Sequence, residues 1–211
     1  MYPALSYAVD EPSLAWDNAK RPRSAGLFEI RPPAVSIDAL PIYDTDLDTV
    51  IGYREEFAGV SHIYALDGSI QISEKPLESP LFDPFDALFI VGGLWRAGLR
   101  GFTEWGARGV GVALGQATLF GLRTRYYALL QQPLRFAATP LAHMSEAGRY
   151  VPVHILRLAI RHGKRFSDPK GHSGIFQYTC PMVRNGTRYV LDVVVRERDY
   201  TVLHFAYKHI K

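Results

Sequence analysis

The stretch 174-GIFQYTCPMVRNGTRYVLDVVVRERDYTVLHFAYK-208 decides how the chain is read. At its centre stands Asn185-Gly186, the strongest short hairpin signal, because a two-residue type I′ turn needs positive φ at both positions. With that dipeptide at the tip, Arg184 pairs with Thr187. Met182 then faces Tyr189, Cys180 faces Leu191, Tyr178 faces Val193 and Phe176 faces Val195. These last four pairs are apolar or aromatic and share one face of a sheet. A slip of one residue would turn the whole set outward, so the pattern itself fixes the register. Thr201 to Tyr207 supplies a third strand, with Leu203 and Phe205 expected on the greasy face and His204 and Lys208 on the opposite one.

That opposite face collects Gln177, Thr179, Asp192, Arg196, His204 and Lys208, separated by Val190, Val194 and Ala206. A sheet face open to water needs no such apolar spacers. The mixture points to a partly covered, concave surface and makes this face the leading candidate for a site.

Upstream of the strands, Pro152 suits the first turn of a helix running to about His162. Ile155, Leu156, Ala159 and Ile160 form its apolar face, with His154, Arg157 and Arg161 on the other. Gly163 is expected to end it in the positive-φ conformation that glycine tolerates. A loop rich in Asp, Pro, Gly and Lys follows, from Phe166 to Ser173. The fold class expected is α+β: a C-terminal helix plus a three-stranded antiparallel meander, preceded by a Gly/Ala-rich helical region and a Pro-rich arm.

The rest of the chain divides by composition. Residues 1–41 hold six prolines and little periodicity, and are expected to form an extended arm or linker. Residues 42–83 read as a small strand-rich connector, with Asp67-Gly68 turning His62–Leu66 back onto Ile70–Ile72. Residues 84–139 are rich in Ala, Gly, Leu and aromatics and are expected to be helical. Ala87–Trp95 and Gly109–Leu122 are uncharged runs, each shorter than the roughly 20 residues of a spanning helix. Residues 87–131 are the segment expected to make any transient membrane contact. Residues 140–211 form the C-terminal domain.

Charge is distributed unevenly. Residues 1–139 carry 12 Lys/Arg against 16 Asp/Glu, whereas residues 140–211 carry 12 against 5 and six of the seven histidines. Basic charge gathered in one small segment points to a polyanion partner, and the imidazoles add acid–base chemistry. The single cysteine excludes an internal disulfide framework, and Cys180 falls on the core face, away from nucleophilic work. No His/Cys or carboxylate spacing reads as a metal site, and no Gly-rich phosphate loop follows a strand, so neither metal nor cofactor is expected. The first residues lack a charged n-region and an apolar h-region, so no cleavable signal peptide is expected.

Cleaving RNA without metal needs few parts. A base takes the 2′-hydroxyl proton, cations stabilise the crowded phosphorane, and an acid protonates the departing 5′-oxygen. Histidine suits either proton role because its unperturbed pKa is about 6.5. His204 is the central imidazole candidate, with Asp192 across the ladder to orient it. Thr179, Arg196, Lys208 and Gln177 are placed to hold the phosphate or the RNA. His143, Arg149, His154 and Arg157 approach from the helical side.

The stretches 142-AHMSEAGRYVPVHILRLAIRHGKRFSDPKG-171 and 174–205 together resemble the toxin tips of bacterial polymorphic and contact-dependent toxins. These are small nucleases related in fold to RelE, barnase, EndoU and the anticodon-cleaving colicins. The resemblance rests on a His and an Arg before a helix, the helix ending in Gly, and a three-strand meander with "HF.Y" near its end. The run 78-ESPLFDPFDALFIVGG-93 resembles the junction that precedes such tips. The resemblance implies a RelE/barnase-like fold, a delivered effector with His143, Arg149 and His204 in the active site, tRNA as substrate and a cognate immunity protein. It also implies secretion by a dedicated system and action in the cytoplasm of a target bacterium. The rival readings are a membrane-acting toxin working through residues 87–131, and a RelE-like module that docks on RNA or a partner without cutting.

Overall fold

The computed structural model describes residues 7–17, 20, 22, 26–57, 59–74 and 114–210. The chain divides into two compact units: Leu27–Leu130, and Met1–Gly26 together with Gln131–Lys211. Among the described residues there are ten strands in two sheets and three short helices, a mixed, sheet-rich fold. The expected helix plus three-stranded meander is therefore corrected, and the RelE/barnase-like plan that went with it is set aside.

The unit 27–130 begins with the two-residue β1 (Phe28–Glu29) and contains a four-stranded antiparallel sheet. Its strands are β2 (Leu40–Asp44), β3 (Thr49–Phe57), β4 (Val60–Ala65) and β5 (Ile70–Glu74), in that order. The hairpin expected at Asp67-Gly68 joins β4 to β5, with Gly68 at φ 83°. Helix α1 (Gln116–Gln131) is tied to this sheet by Arg123, whose Nε donates to Asp44 Oδ2 at 2.6 Å and whose Nη2 donates to Asp46 at 2.6 Å. Gly52 on β3 leaves room for Leu122, since a Cβ there would lie 3.0 Å from the leucine and 2.5 Å from the Tyr64 carbonyl. Of the run Gly109–Leu122, only the part from residue 114 is described, and it includes the first two turns of α1; Ala87–Trp95 lies outside the described residues. Among those described, no helix is long and apolar enough to cross a membrane.

The other unit holds β6 (Arg135–Phe136), α2 (Ala138–His143), α3 (Val153–His162), β7 (Lys164–Ser167), β8 (Ile175–Arg184), β9 (Thr187–Arg196) and β10 (Thr201–His209). The β8–β9 hairpin has the register that the Asn185-Gly186 turn dictates, with Met182 opposite Tyr189 and Phe176 opposite Val195. Both turn residues have positive φ, 50° and 78°. β10 adds antiparallel to β9, β6 adds parallel to β10, and β7 adds antiparallel to β8. Helix α3 packs on β8 and β9 and buries Val153, Ile155, Leu156, Leu158 and Ala159. Pro152 caps this helix from outside its first turn.

Three local readings change. Gly163 ends α3 at φ −72°, not in the positive-φ region. Glycine is needed there for space, because a Cβ would fall 2.3 Å from the Ala159 carbonyl oxygen. The loop expected from Phe166 onward begins inside β7. Leu203 is a bulge: Val202 pairs with Val195 and His204 with Val194, so Leu203 is the extra residue. It joins Tyr7, Ala137, Ile175 and Val194 in a buried cluster on the second face, not on the greasy one with Phe205.

The Pro-rich segment is no free arm. Tyr7 and Val9 pack into that second-face cluster, and Leu14 bridges Phe136 through reciprocal backbone bonds of 2.8 Å. The C-terminal fold accordingly includes residues 7–17 and reaches back to residue 131, so the boundaries expected at 41 and 140 do not separate compact units.

Candidate functional site

On the second face, the side chains of β8 and β9 that escape the apolar cluster converge on Asp192. The Thr179 hydroxyl donates to its Oδ1 at 2.6 Å and the Gln177 amide donates to the same oxygen at 3.0 Å. Thr179 and Asp192 are direct cross-strand partners, which is why so short a side chain reaches. Ala206, which is exposed, stands opposite Asp192 on β10, and Asp192 is itself partly exposed.

Regular pairing of β10 from His204 onward sets His204 on this face, opposite Val194 and diagonal to Asp192. Its imidazole is half-buried. Burial pushes its pKa below the ordinary value; nearby His143 and Lys170 push the same way, and the Asp192 carboxylate opposes them. His143, the last residue of α2, stacks edge-on against Phe205 with ring centroids 6.1 Å apart. Arg149 Nη1 lies 2.6 Å from His143 Nε2, a contact that makes Nε2 the acceptor. Burial and the Arg149 charge lower the His143 pKa, against Glu146.

Arg149 is exposed, with Glu146 3.3 Å from its Nε. Its turn is fastened to the sheet by Tyr207, whose hydroxyl donates to the Gly148 carbonyl at 2.6 Å, and by Arg184, which donates to the Ala147 carbonyl at 3.1 Å. Lys208 is exposed two positions beyond Ala206 on the same face. Thus Thr179, Gln177, Asp192, His204 and Lys208 share the second face, whereas His143 and the turn that carries Arg149 are held by Phe205, Tyr207 and Arg184 from the α3 side of the sheet.

Three other expected RNA contacts are taken up within the protein. Arg196 is 3% exposed. Its guanidinium donates to Asp199, to the Glu11 carbonyl at 3.1 Å, to the Val9 carbonyl and to Ser13 Oγ at 3.2 Å, so it anchors the N-terminal segment. His154 is 6% exposed within α3. Arg157 donates to the Gln132 carbonyl and holds the chain leading into β6. Each was read from helical or strand spacing alone, which does not register partners far along the chain.

Sequence reasoning missed the loop between β7 and β8. Lys170 lies with its Nζ 4.1 Å from the Tyr7 ring centroid and donates to the Tyr7 carbonyl at 3.2 Å. The buried Asp168 carboxylate takes the Tyr7 hydroxyl on one oxygen; on the other it takes the His172 backbone N–H at 2.9 Å and His172 Nδ1 at 2.5 Å. Burial alone would raise the Asp168 pKa, but these hydrogen bonds hold it below the ordinary value. The signal in sequence is faint: an Asp and a His four apart in a Gly-rich loop, with the tyrosine that completes the set more than 160 positions away.

Cys180 is buried on the α3 side, where burial pushes its thiol up to about 11, so it is no nucleophile at neutral pH. Among the described residues, no group of three or more His, Cys, Asp or Glu could hold a metal ion. Comparison with family models, with curated proteins and with solved structures returns no match.

Proposed function

We propose that this unit is a metal-independent endoribonuclease and that the chain is an interbacterial effector toxin with tRNA as its substrate. The observation that carries the reading is the half-buried His204 sharing a sheet face with the Asp192 carboxylate that Thr179 and Gln177 tether, while His143, in contact with the exposed Arg149, acts on the His204 imidazole from the α3 side. With its pKa lowered, His204 is neutral at pH 7 and able to take the 2′-hydroxyl proton. Asp192, pinned by Thr179 and Gln177, favours the imidazolium that then forms. Arg149, steadied by His143, and the exposed Lys208 supply positive charge for the phosphorane. The products are a 2′,3′-cyclic phosphate and a 5′-hydroxyl.

A producer of such an activity needs a tight inhibitor, and a basic surface of this kind calls for an acidic immunity protein that covers it. Delivery by a dedicated secretion system, with action in the cytoplasm of the target cell, belongs to the same proposal. The test is to incubate the purified full chain with tRNA, with and without EDTA, and to map new ends. New 2′,3′-cyclic ends that persist under chelation are expected. RNA binding without new ends would reduce the protein to a docking module, and loss of cleavage on chelation would sink the mechanism.

A further inference from the structure

We propose that His172, held by Asp168 and Tyr7, is the general acid of this site and protonates the departing 5′-oxygen. The inference rests on the ribonuclease reading. The Asp168 side chain is fully buried, yet its carboxylate is directed at a histidine whose side chain is 39% exposed. A carboxylate bonded to Nδ1 fixes the tautomer and the ring orientation, leaving Nε2 to exchange a proton with a substrate. Closing the loop does not require this arrangement, because Gly171 and Gly174 already supply its positive-φ turns.

Tyr7 joins this imidazole to the buried cluster that His204 borders. Its ring meets the His172 ring edge-on, 6.4 Å between centroids, while its hydroxyl holds Asp168. The same ring is buried with Val194, the cross-strand partner of His204, and with Leu203, its chain neighbour. Lys170, clamped on Tyr7 from the same loop, lies close enough to His204 to act on its protonation. His172 thus touches Tyr7 directly, and His204 borders the same buried cluster through its partner Val194 and its neighbour Leu203. His143 does not compete for the acid role, because its Nε2 accepts from Arg149.

The step balances without a further reactant. His204 takes the 2′-hydroxyl proton, the 2′-oxygen bonds to phosphorus, and the bond from phosphorus to the 5′-oxygen breaks. His172 enters the step as the imidazolium, with Nδ1–H on Asp168, and its Nε2 proton completes the 5′-hydroxyl, leaving the neutral imidazole.

A dinucleotide with sulfur in place of the bridging 5′-oxygen tests the assignment, since a thiolate leaves without protonation. On the ordinary substrate, His172→Ala in the full chain is expected to lose about 10²–10⁴-fold in rate, as is typical of a lost general acid. On the thio substrate it is expected to match wild type, whereas His204→Ala stays impaired on both. Asp168→Asn, which alters a positioning residue, is expected to show a smaller loss with the same recovery. A folded His172→Ala protein that cuts the ordinary substrate at the wild-type rate overturns the inference, as does an equal loss on both substrates. Either result leaves the ribonuclease reading standing. Failure of the wild-type chain to cut any RNA overturns both.

Discussion

The Arg196 guanidinium donates to both carboxylate oxygens of Asp199, from Nε to Oδ1 at 3.1 Å and from Nη2 to Oδ2 at 2.8 Å. Ser13 completes the arrangement by donating to the same Asp199 Oδ2 at 2.9 Å. A cation that is almost wholly buried thus depends on one acidic partner and on backbone carbonyls from the far end of the chain. Asp199→Ala should destabilise the unit by about 2 kcal/mol, less than the about 3–5 kcal/mol of a fully buried pair because Asp199 partly faces water. Its hydrogen bonds hold the Asp199 carboxyl well below its ordinary pKa. That part of the stability is present above about pH 4 and disappears as the pH falls through the lowered value. Thermal melts from pH 7 to pH 2 should show the wild type progressively losing part of this advantage below about pH 4 and Asp199→Asn lacking it throughout.

Residues 131–211 produced without residues 1–26 should melt at lower temperature than the full chain. The missing segment takes with it the Arg196 partners Val9, Glu11 and Ser13 and the buried Tyr7 ring. Adding a peptide of residues 7–17 should raise the melting temperature again by mass action. No change on adding saturating peptide would mean that the contacts contribute nothing.

His204→Ala and Phe205→Ala should separate chemistry from packing. Phe205 is buried on the α3 side of the sheet, so its truncation should cost roughly 3–5 kcal/mol. His204→Ala should leave the melt nearly unchanged while lowering tRNA cleavage by about 10²–10⁴-fold. Cleavage at the wild-type rate by folded His204→Ala would remove this imidazole from the mechanism.

The acid limb of the pH–rate profile should lie below about 6.5, because burial lowers the pKa of His204, the proposed base. The Asp192 charge works against that shift, so Asp192→Asn should move the limb to still lower pH. Arg149→Gln removes a cation that lowers the His143 pKa and should move that group upward. Imidazole titrations followed by NMR check each direction separately.

The β8–β9 register was legible because turn chemistry and alternation agree: Asn185-Gly186 sets the tip, and each apolar pair then falls on one side. The bulge at Leu203 was not, since Leu203, His204 and Phe205 alternate like any regular strand. What displaces Leu203 to the second face is the apolar cluster around Tyr7, nearly two hundred residues away in sequence. β7 gave no signal because Lys164, Arg165, Phe166 and Ser167 are all exposed and show no period. Asp192, Thr179 and His204 were found on the polar face because strand geometry alone puts them there. Arg196 sits on the same face and was misread, as it is engaged there by Val9, Glu11 and Ser13 from far along the chain. Local pattern gave the face but not what lies over it.

The division of one compact unit between the two ends of the chain also sets a timetable. Residues 7–17 leave the ribosome well before β8, β9 and β10 exist, and at about 5–20 residues per second the wait is roughly ten seconds or longer. Meanwhile residues 27–130 can fold as their own unit. The surface around Tyr7, His172 and His204 is assembled only after the last strands emerge, so a partially synthesised chain does not yet present it. The finished surface therefore exists only once β10 has emerged and paired.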